Sequence, residues 1–233
     1  MNKLIPLFII LLSNQLVNDQ FLQPRQRMVE QQIQQRGITD ERVLSAIMDT
    51  PRHLFVLPEY RNLAYADSPL PIGFNQTISQ PFIVAYMTEL LQVNDNHTVL
   101  EIGTGSGYQA AVLALLCEKV FTIEIIPELA IQARGRLEDL NCANVNVKIG
   151  DGYVGWPEFA PFDRIIVTAA PEEIPGKLVE QLKPGGRMII PVGERFQTQE
   201  LLIITKSSEG IVRQETTLPV RFVPLIQEKE LRQ

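Results

Sequence analysis

Residues 99–109 read Val-Leu-Glu-Ile-Gly-Thr-Gly-Ser-Gly-Tyr-Gln. The apolar run Val99–Ile102 ends at three glycines spaced two apart, Gly103, Gly105 and Gly107, and a helix-like run from Tyr108 to Cys117 follows. The pattern is that of a strand, a tight turn and a helix start. Glycine admits positive φ and close backbone approach at little steric cost. A helix N-terminus offers unpaired N–H groups and a partial positive charge. Such a unit cradles a nucleotide-like ligand at the carboxyl end of a parallel strand. A dinucleotide suits the spacing poorly. In G-x-G-x-x-G the third glycine lies where the helix packs on the strand, and here Tyr108 fills that slot.

The segments on either side supply the rest of the fold. Val120–Ile125, Val145–Ile149, Asp163–Thr168 and Arg187–Pro191 read as strands. Phe82–Leu91, Pro127–Leu140 and Ile174–Leu182 read as helices, the last stopped by Lys183-Pro-Gly-Gly186. Strands alternating with helices predict an α/β fold: a doubly wound, mostly parallel sheet with helices on both faces. Leu201–Thr205, Ile211–Leu218 and Val220–Val223 read as antiparallel strands at the C-terminal end, with Glu209-Gly210 in a hairpin turn. Upstream, Pro24–Gln35 is polar and helix-prone and Gly37 stops it. Thr39 or Asp40 caps a helix over Glu41–Asp49 with Val43, Leu44 and Ile47 on one face. Residues 51–80 are rich in proline yet too apolar for disorder, and read as a folded lid or cleft wall. The expected organisation is an apolar segment over 1–22, helices and a cleft-forming segment over 23–81, and a catalytic core over 82–233.

Composition excludes some classes. The net charge is −6 and no basic block is present, which argues against nucleic acid as a partner. Cys117 and Cys142 have no metal-ligand spacing, and no metal is expected. Residues 1–12 place Lys3 before a short apolar run. That run is too short to span a bilayer, which takes roughly 20 apolar residues. It reads as an export signal, as a peripheral tail, or as sequence upstream of a start at Met28. No stable membrane association is expected, and the expected state is a monomer.

Residues at successive strand ends narrow the ligand. Glu124 closes the strand after the glycine loop, at the interval where a carboxylate bonds ribose hydroxyls. Asp151, in Gly150-Asp-Gly-Tyr153, follows the next strand. The loop Gly103-Thr-Gly-Ser-Gly107 after a strand bearing Glu101 resembles the S-adenosylmethionine loop of class I methyltransferases. That resemblance implies S-adenosyl-L-methionine as methyl donor, held by Glu101, Gly103, Thr104, Gly105, Gly107, Glu124, Asp151 and Gly152, with Asp151 at the adenine amino group.

The next strand end reads Thr168-Ala-Ala-Pro171 and offers neither an acceptor-rich motif for an amino group nor a cysteine nucleophile. His53 and His97 are poor catalytic candidates, one in the apolar lid and one in a polar turn. A carboxylate acceptor fits this poverty, because its pKa of about 4 leaves it ionised at neutral pH. Holding it in line with an electrophilic methyl supplies about 7–11 kcal/mol of barrier reduction. Thr77 and Ser79, in Gln76-Thr-Ile-Ser-Gln-Pro81, provide hydroxyls just before a helix. A plain helix cap explains them equally well.

Pro69–Pro81, Val99–Gln109, Gly150–Trp156, Ile166–Pro171 and Leu218–Leu225 together closely resemble the protein-L-isoaspartate O-methyltransferase family, in order from about Arg25 to Leu225. The resemblance implies methyl transfer from S-adenosylmethionine to the free α-carboxylate of L-isoaspartyl residues in damaged proteins and peptides. The ester then closes to a succinimide that reopens partly to aspartate. It places the family's active-site serine on Ser79, with Thr77 and Arg221 as neighbours of the substrate carboxylate. It implies a cytoplasmic location, which the apolar start of the chain sets against export. Three rivals remain: a methyltransferase for RNA or a small molecule, a nicotinamide-dependent oxidoreductase, and a non-enzymatic nucleotide-binding module.

Overall fold

The structure, a computed structural model, describes residues 20–230. The expectations for the chain before residue 20 lie outside the described residues. Helix α1 (Leu22–Arg27) runs on into wider turns over Met28–Ile33 and a tight turn at Gln34–Arg36. The wide turns bury Met28, Val29 and Ile33, where the sequence predicts a regular helix. Gly37, at φ +100°, ends it. Of the two candidate caps for α2 (Glu41–Asp49), Asp40 serves: its Oδ1 accepts from the amides of Arg42 at 2.9 Å and Val43 at 3.4 Å.

Residues 51–80 are more regular than expected. They hold 3-10 turns at Arg52–Leu54 and Pro58–Leu63 and an antiparallel ribbon of β1 (Leu70–Gly73) and β2 (Gln76–Ile78). The ribbon turns at Phe74 and Asn75, both at positive φ, the geometry a two-residue hairpin turn requires. Then follow α3 (Pro81–Leu91), β3 (Thr98–Ile102), α4 (Tyr108–Ala114), β4 (Lys119–Glu124), α5 (Pro127–Asp139), β5 (Val145–Ile149) and β6 (Phe162–Val167). The chain closes with α6 (Gly176–Glu180), β7 (Leu182–Val192), β8 (Gln199–Lys206) and β9 (Val212–Val220).

The large sheet has the order β5-β4-β3-β6-β7-β8-β9. Pairs from β5 to β7 are parallel, and β7–β8 and β8–β9 are antiparallel. Side chains alternate between two faces, as strand geometry demands. Val99 and Ile166 join one apolar cluster with Val84, Met87 and Val112 of the helices, while Leu100, Ile102, Ile165 and Val167 join a second with Leu178. The second face is covered by the short α6 and by Tyr153, Trp156 and Leu225 from irregular chain rather than by long helices.

Two boundaries differ from the sequence reading. Lys183-Pro-Gly-Gly186 does not end a helix; α6 stops at Glu180 and the segment belongs to β7. The Gln181 carbonyl accepts from Phe162 N at 2.8 Å, and its side chain bonds Trp156 N and Val154 O, each at 2.8 Å. Leu182 then pairs with Phe162, and a bulge precedes the Arg164–Arg187 pair. Gly185 takes φ +79° in that bulge, and a Cβ on Gly186 would meet Lys183 O at 2.6 Å. At the C-terminal end one strand, β9, replaces the two expected; the chain then bridges Pro224 to Ala170 in parallel.

Candidate active site

Strand order reverses between β3 and β6, whose neighbours β4 and β7 lie to opposite sides. Open α/β sheets bind ligands at such a point, beyond the carboxyl ends of the strands. The glycine loop sits there. Gly103 N donates to Ile123 O at 2.8 Å, and Gly107 N to Thr104 O at 2.8 Å. Gly103 has φ +96°, and a Cβ there would fall 2.5 Å from Thr168 Oγ1. Thr168 in turn donates to Gly103 O at 2.7 Å. Gly107, at φ +91°, faces elsewhere. A Cβ on it would reach Ala133 Cβ of α5 at 3.4 Å, so it allows helix packing and does not line the cavity.

That cavity is walled by Gly103 and Gly105 of the loop, by Glu124, by Gly152, and by the crossing segment 223–226. Glu124 is buried; its Oε2 accepts from Gly105 N at 2.8 Å and its Oε1 from Ile126 N at 3.0 Å. Burial pushes its pKa up, and the two amide bonds oppose the rise. Each carboxylate oxygen keeps acceptor capacity for a further donor. Gly152 lies against β3: a Cβ there would strike Ile102 Cγ2 at 2.4 Å. Asp151 stands beside the cavity without lining it. Its oxygens accept from Tyr153 N at 2.8 Å and Glu228 N at 3.2 Å.

Beneath the loop lies Glu101, fully buried, and among the described residues neither of its oxygens has a hydrogen-bond partner. Burial pushes its pKa up to about 8; the Thr122 hydroxyl opposes the rise without bonding it, and the nearby Glu124 adds to it. Burial thus favours the protonated, uncharged form of Glu101 beneath the loop. Thr104 pairs its hydroxyl with Thr122 Oγ1 at 2.6 Å.

A second, larger cleft adjoins the first. Ser79, Gln80 and Ile83 form one wall, and Arg221 with Phe222 the other. Thr77, Thr168 and Val223 line both cavities. The structure thus brings Ser79, Thr77 and Arg221 together, and sets them next to the glycine loop. His53 is not near this chemistry in role: its Nδ1 lies 2.7 Å from Tyr65 Oη and its ring stacks on Phe21. His97 is tied to Asn94 in a turn. Sequence reasoning misses Thr168 as a site residue; it gives 219–225 to the substrate cleft and does not anticipate that 223–226 also walls the donor cavity. Thr168 was findable, since it ends the strand that faces β3 across the switch point. Of segment 223–226 only Val223 reads as sheet, as the end of the expected strand Val220–Val223.

Several features fit an adenosine-bearing sulfonium donor. Among the described residues Glu124 is the one charged side chain in the cavity wall, and no lysine or arginine lines it to match a pyrophosphate. Gly103 and Gly152 line the cavity with bare backbone, because a Cβ on either would strike Thr168 or Ile102. A parallel sheet with this reversal, a G-x-G-x-G turn and a carboxylate on the next strand define a class I methyltransferase. The comparisons carry this further. The family model described as "Protein-L-isoaspartate(D-aspartate) O-methyltransferase (PCMT)" matches residues 23–230. The chain is 55% identical over 202 residues to a protein-L-isoaspartate O-methyltransferase of Gloeobacter violaceus, covering 87% of this chain and 98% of that protein. It is 54% identical over 213 residues to one of Picosynechococcus sp., covering 91% and 95%. A solved protein-L-isoaspartate O-methyltransferase superposes with TM-score 0.80 at 29% identity, over 88% of this chain and 66% of that one. A Plasmodium falciparum structure described as the same enzyme, in complex with S-adenosyl-L-homocysteine, gives TM-score 0.75 at 26% identity, over 87% and 98%. The chain belongs to the protein-L-isoaspartate(D-aspartate) O-methyltransferase family.

Proposed function

We propose that this chain transfers a methyl group from S-adenosyl-L-methionine to the free α-carboxylate of L-isoaspartyl residues in damaged proteins and peptides, with D-aspartyl residues as a further substrate. Bound in the inner cavity, the donor supplies an electrophilic methyl; the carboxylate oxygen gains the new bond to carbon and the sulfur–carbon bond breaks. The amide nitrogen of the isoaspartyl linkage then attacks the ester carbonyl, methanol leaves, and a succinimide forms without further help from the protein. The observation that carries this reading is the shared wall of Thr77, Thr168 and Val223, which joins the glycine-loop cavity to the Ser79–Arg221 cleft.

The roles of individual residues follow from position. Glu124 receives ribose hydroxyls and the loop Gly103–Gly105 admits the donor's backbone-like tail, with Gly152 and Asp151 toward the adenine. Ser79 orients the acceptor carboxylate by donating its hydroxyl, with Thr77 beside it, and Arg221 supplies positive charge at the mouth. No strong base is needed, which accords with the histidines' structural roles. An extended peptide along 219–223 is held through its main chain, so that damaged sites in many sequences are accepted. Segment 69–80 and segment 219–223 supply the cleft between them, and most of the donor site comes from the core that begins at residue 82. Among the described residues no helix is long and apolar enough to cross a membrane. We assign a monomer acting in the cytoplasm, with export as the alternative if residues 1–20 are a signal; mass spectrometry of the mature N-terminus decides between them. Repair itself is the test. Incubation of an isoaspartyl peptide with enzyme and donor should yield succinimide and then the normal aspartyl peptide. A methylated peptide that yields no succinimide would overturn the reading.

A further inference from the structure

Arg52 is fully buried, with no exposed surface. Its Nε donates to Ala64 O at 2.8 Å and its Nη2 to Ser79 O at 2.7 Å. The guanidinium carbon lies 4.9 Å from the centre of the Tyr108 ring, which Phe55 meets edge-on at 5.4 Å. Among the described residues Arg52 makes no ion pair, and neither its Nη1 nor the Tyr108 hydroxyl has a hydrogen-bond partner. Burial lowers its pKa to about 10, against the opposing influence of Tyr108 and Tyr65, so it stays charged at neutral pH.

A buried cation without a carboxylate is an expensive way to fill space. An apolar side chain would pack the same volume at lower cost. What Arg52 does that an apolar residue cannot is bind two main-chain carbonyls at once, in the fixed fork of a guanidinium. Its three contacts fall on three parts of the site. Ala64 belongs to the lid segment, Ser79 to the junction of β2 and α3, and Tyr108 opens α4 directly after the glycine loop. Holding the Ser79 carbonyl fixes the ψ angle of Ser79 and so the direction of its side chain relative to α3.

From this juxtaposition we infer that Arg52 is a positioning residue for Ser79: a single buried guanidinium locks the acceptor-side serine to the lid and to the helix that follows the donor loop. The inference rests on the assignment of Ser79 given above. A misplacement of about 1 Å in a reacting group costs roughly 100-fold in rate. Arg52→Lys keeps the charge but cannot span both carbonyls.

The experiment is a double-mutant cycle of Arg52→Lys and Ser79→Ala, read in kcat for an isoaspartyl peptide, with S-adenosylhomocysteine affinity and Tm measured on each variant. We expect Arg52→Lys to lower kcat by about 10- to 100-fold with homocysteine-ligand affinity kept within about two-fold. In the Ser79→Ala background the same change should lower kcat by less than about three-fold, because its effect passes through a hydroxyl already removed. Multiplying losses in the double variant overturn the inference and leave the Ser79 assignment standing. So does unchanged kcat in Arg52→Lys. An active Ser79→Ala enzyme refutes the Ser79 assignment and the inference together. Arg52→Gln is the second variant; if neither it nor Arg52→Lys folds, Arg52 is a structural residue and the inference fails.

Discussion

Ser79 and Glu124 stand on opposite sides of the wall formed by Thr77, Thr168 and Val223, and the two should fail differently when altered. Ser79→Ala removes a donor to the acceptor carboxylate. Its kcat should fall by roughly 100-fold, with donor affinity unchanged in calorimetry; equal loss of donor binding contradicts the assignment. Glu124→Ala removes a charge-assisted ribose contact and strands the amides of Gly105 and Ile126, which it accepts at 2.8 and 3.0 Å. Donor affinity should weaken by about 1.5–3 kcal/mol, measured by S-adenosylhomocysteine titration. Glu101 gives a pH signature. Its folded-state pKa of about 8 lies above the ordinary value of 4.5, so the folded chain holds a proton that the unfolded chain releases. Its contribution to stability is complete below the unfolded value and is lost as pH rises through the folded one. Between about pH 5 and pH 8, wild-type Tm should therefore carry a downward component that Glu101→Gln lacks. A parallel pair of Tm profiles contradicts this.

Turns and strand ends explain what the sequence made legible. The G-x-G-x-G turn declares itself because positive φ at Gly103 and the 2.5 Å approach of Thr168 Oγ1 exclude any side chain. Gly103→Ala should thus abolish donor binding while leaving a folded protein by circular dichroism; retained binding means the loop tolerates a shift of Thr168. The parallel strands are equally plain, since β3 and β6 carry short apolar stretches, Val99-Leu100 with Ile102 and Ile165–Val167, that are buried toward both faces. The α6–β7 boundary is not. Lys183-Pro-Gly-Gly186 has the composition of a turn, yet it lies in a bulged strand because Leu182 pairs with Phe162 and Lys183 Nζ bonds Asp163 Oδ1 at 2.7 Å. Those contacts join distant residues, and local composition does not record them. Arg52 was invisible for the same reason: its partners lie 12 and 27 residues away.

The whole molecule is built on a mostly parallel sheet whose switch point is roofed twice, by the ribbon of β1 and β2 and by the segment 223–226. Ile72 of the ribbon would touch a Cβ on Gly105 at 3.3 Å, and Ala170 N donates to Val223 O at 2.8 Å, so both roofs rest on the donor site. Binding an isoaspartyl peptide with S-adenosylhomocysteine present should slow amide exchange across 69–80 and 219–223. Unchanged exchange in both segments contradicts a cleft between them. The most direct test of the central claim is the fate of a labelled methyl group offered to two peptides that differ only in one isoaspartyl or aspartyl linkage. Label should appear on the isoaspartyl peptide alone and come off in mild base, as a carboxyl ester does; label on both peptides, or label that survives base, contradicts the account.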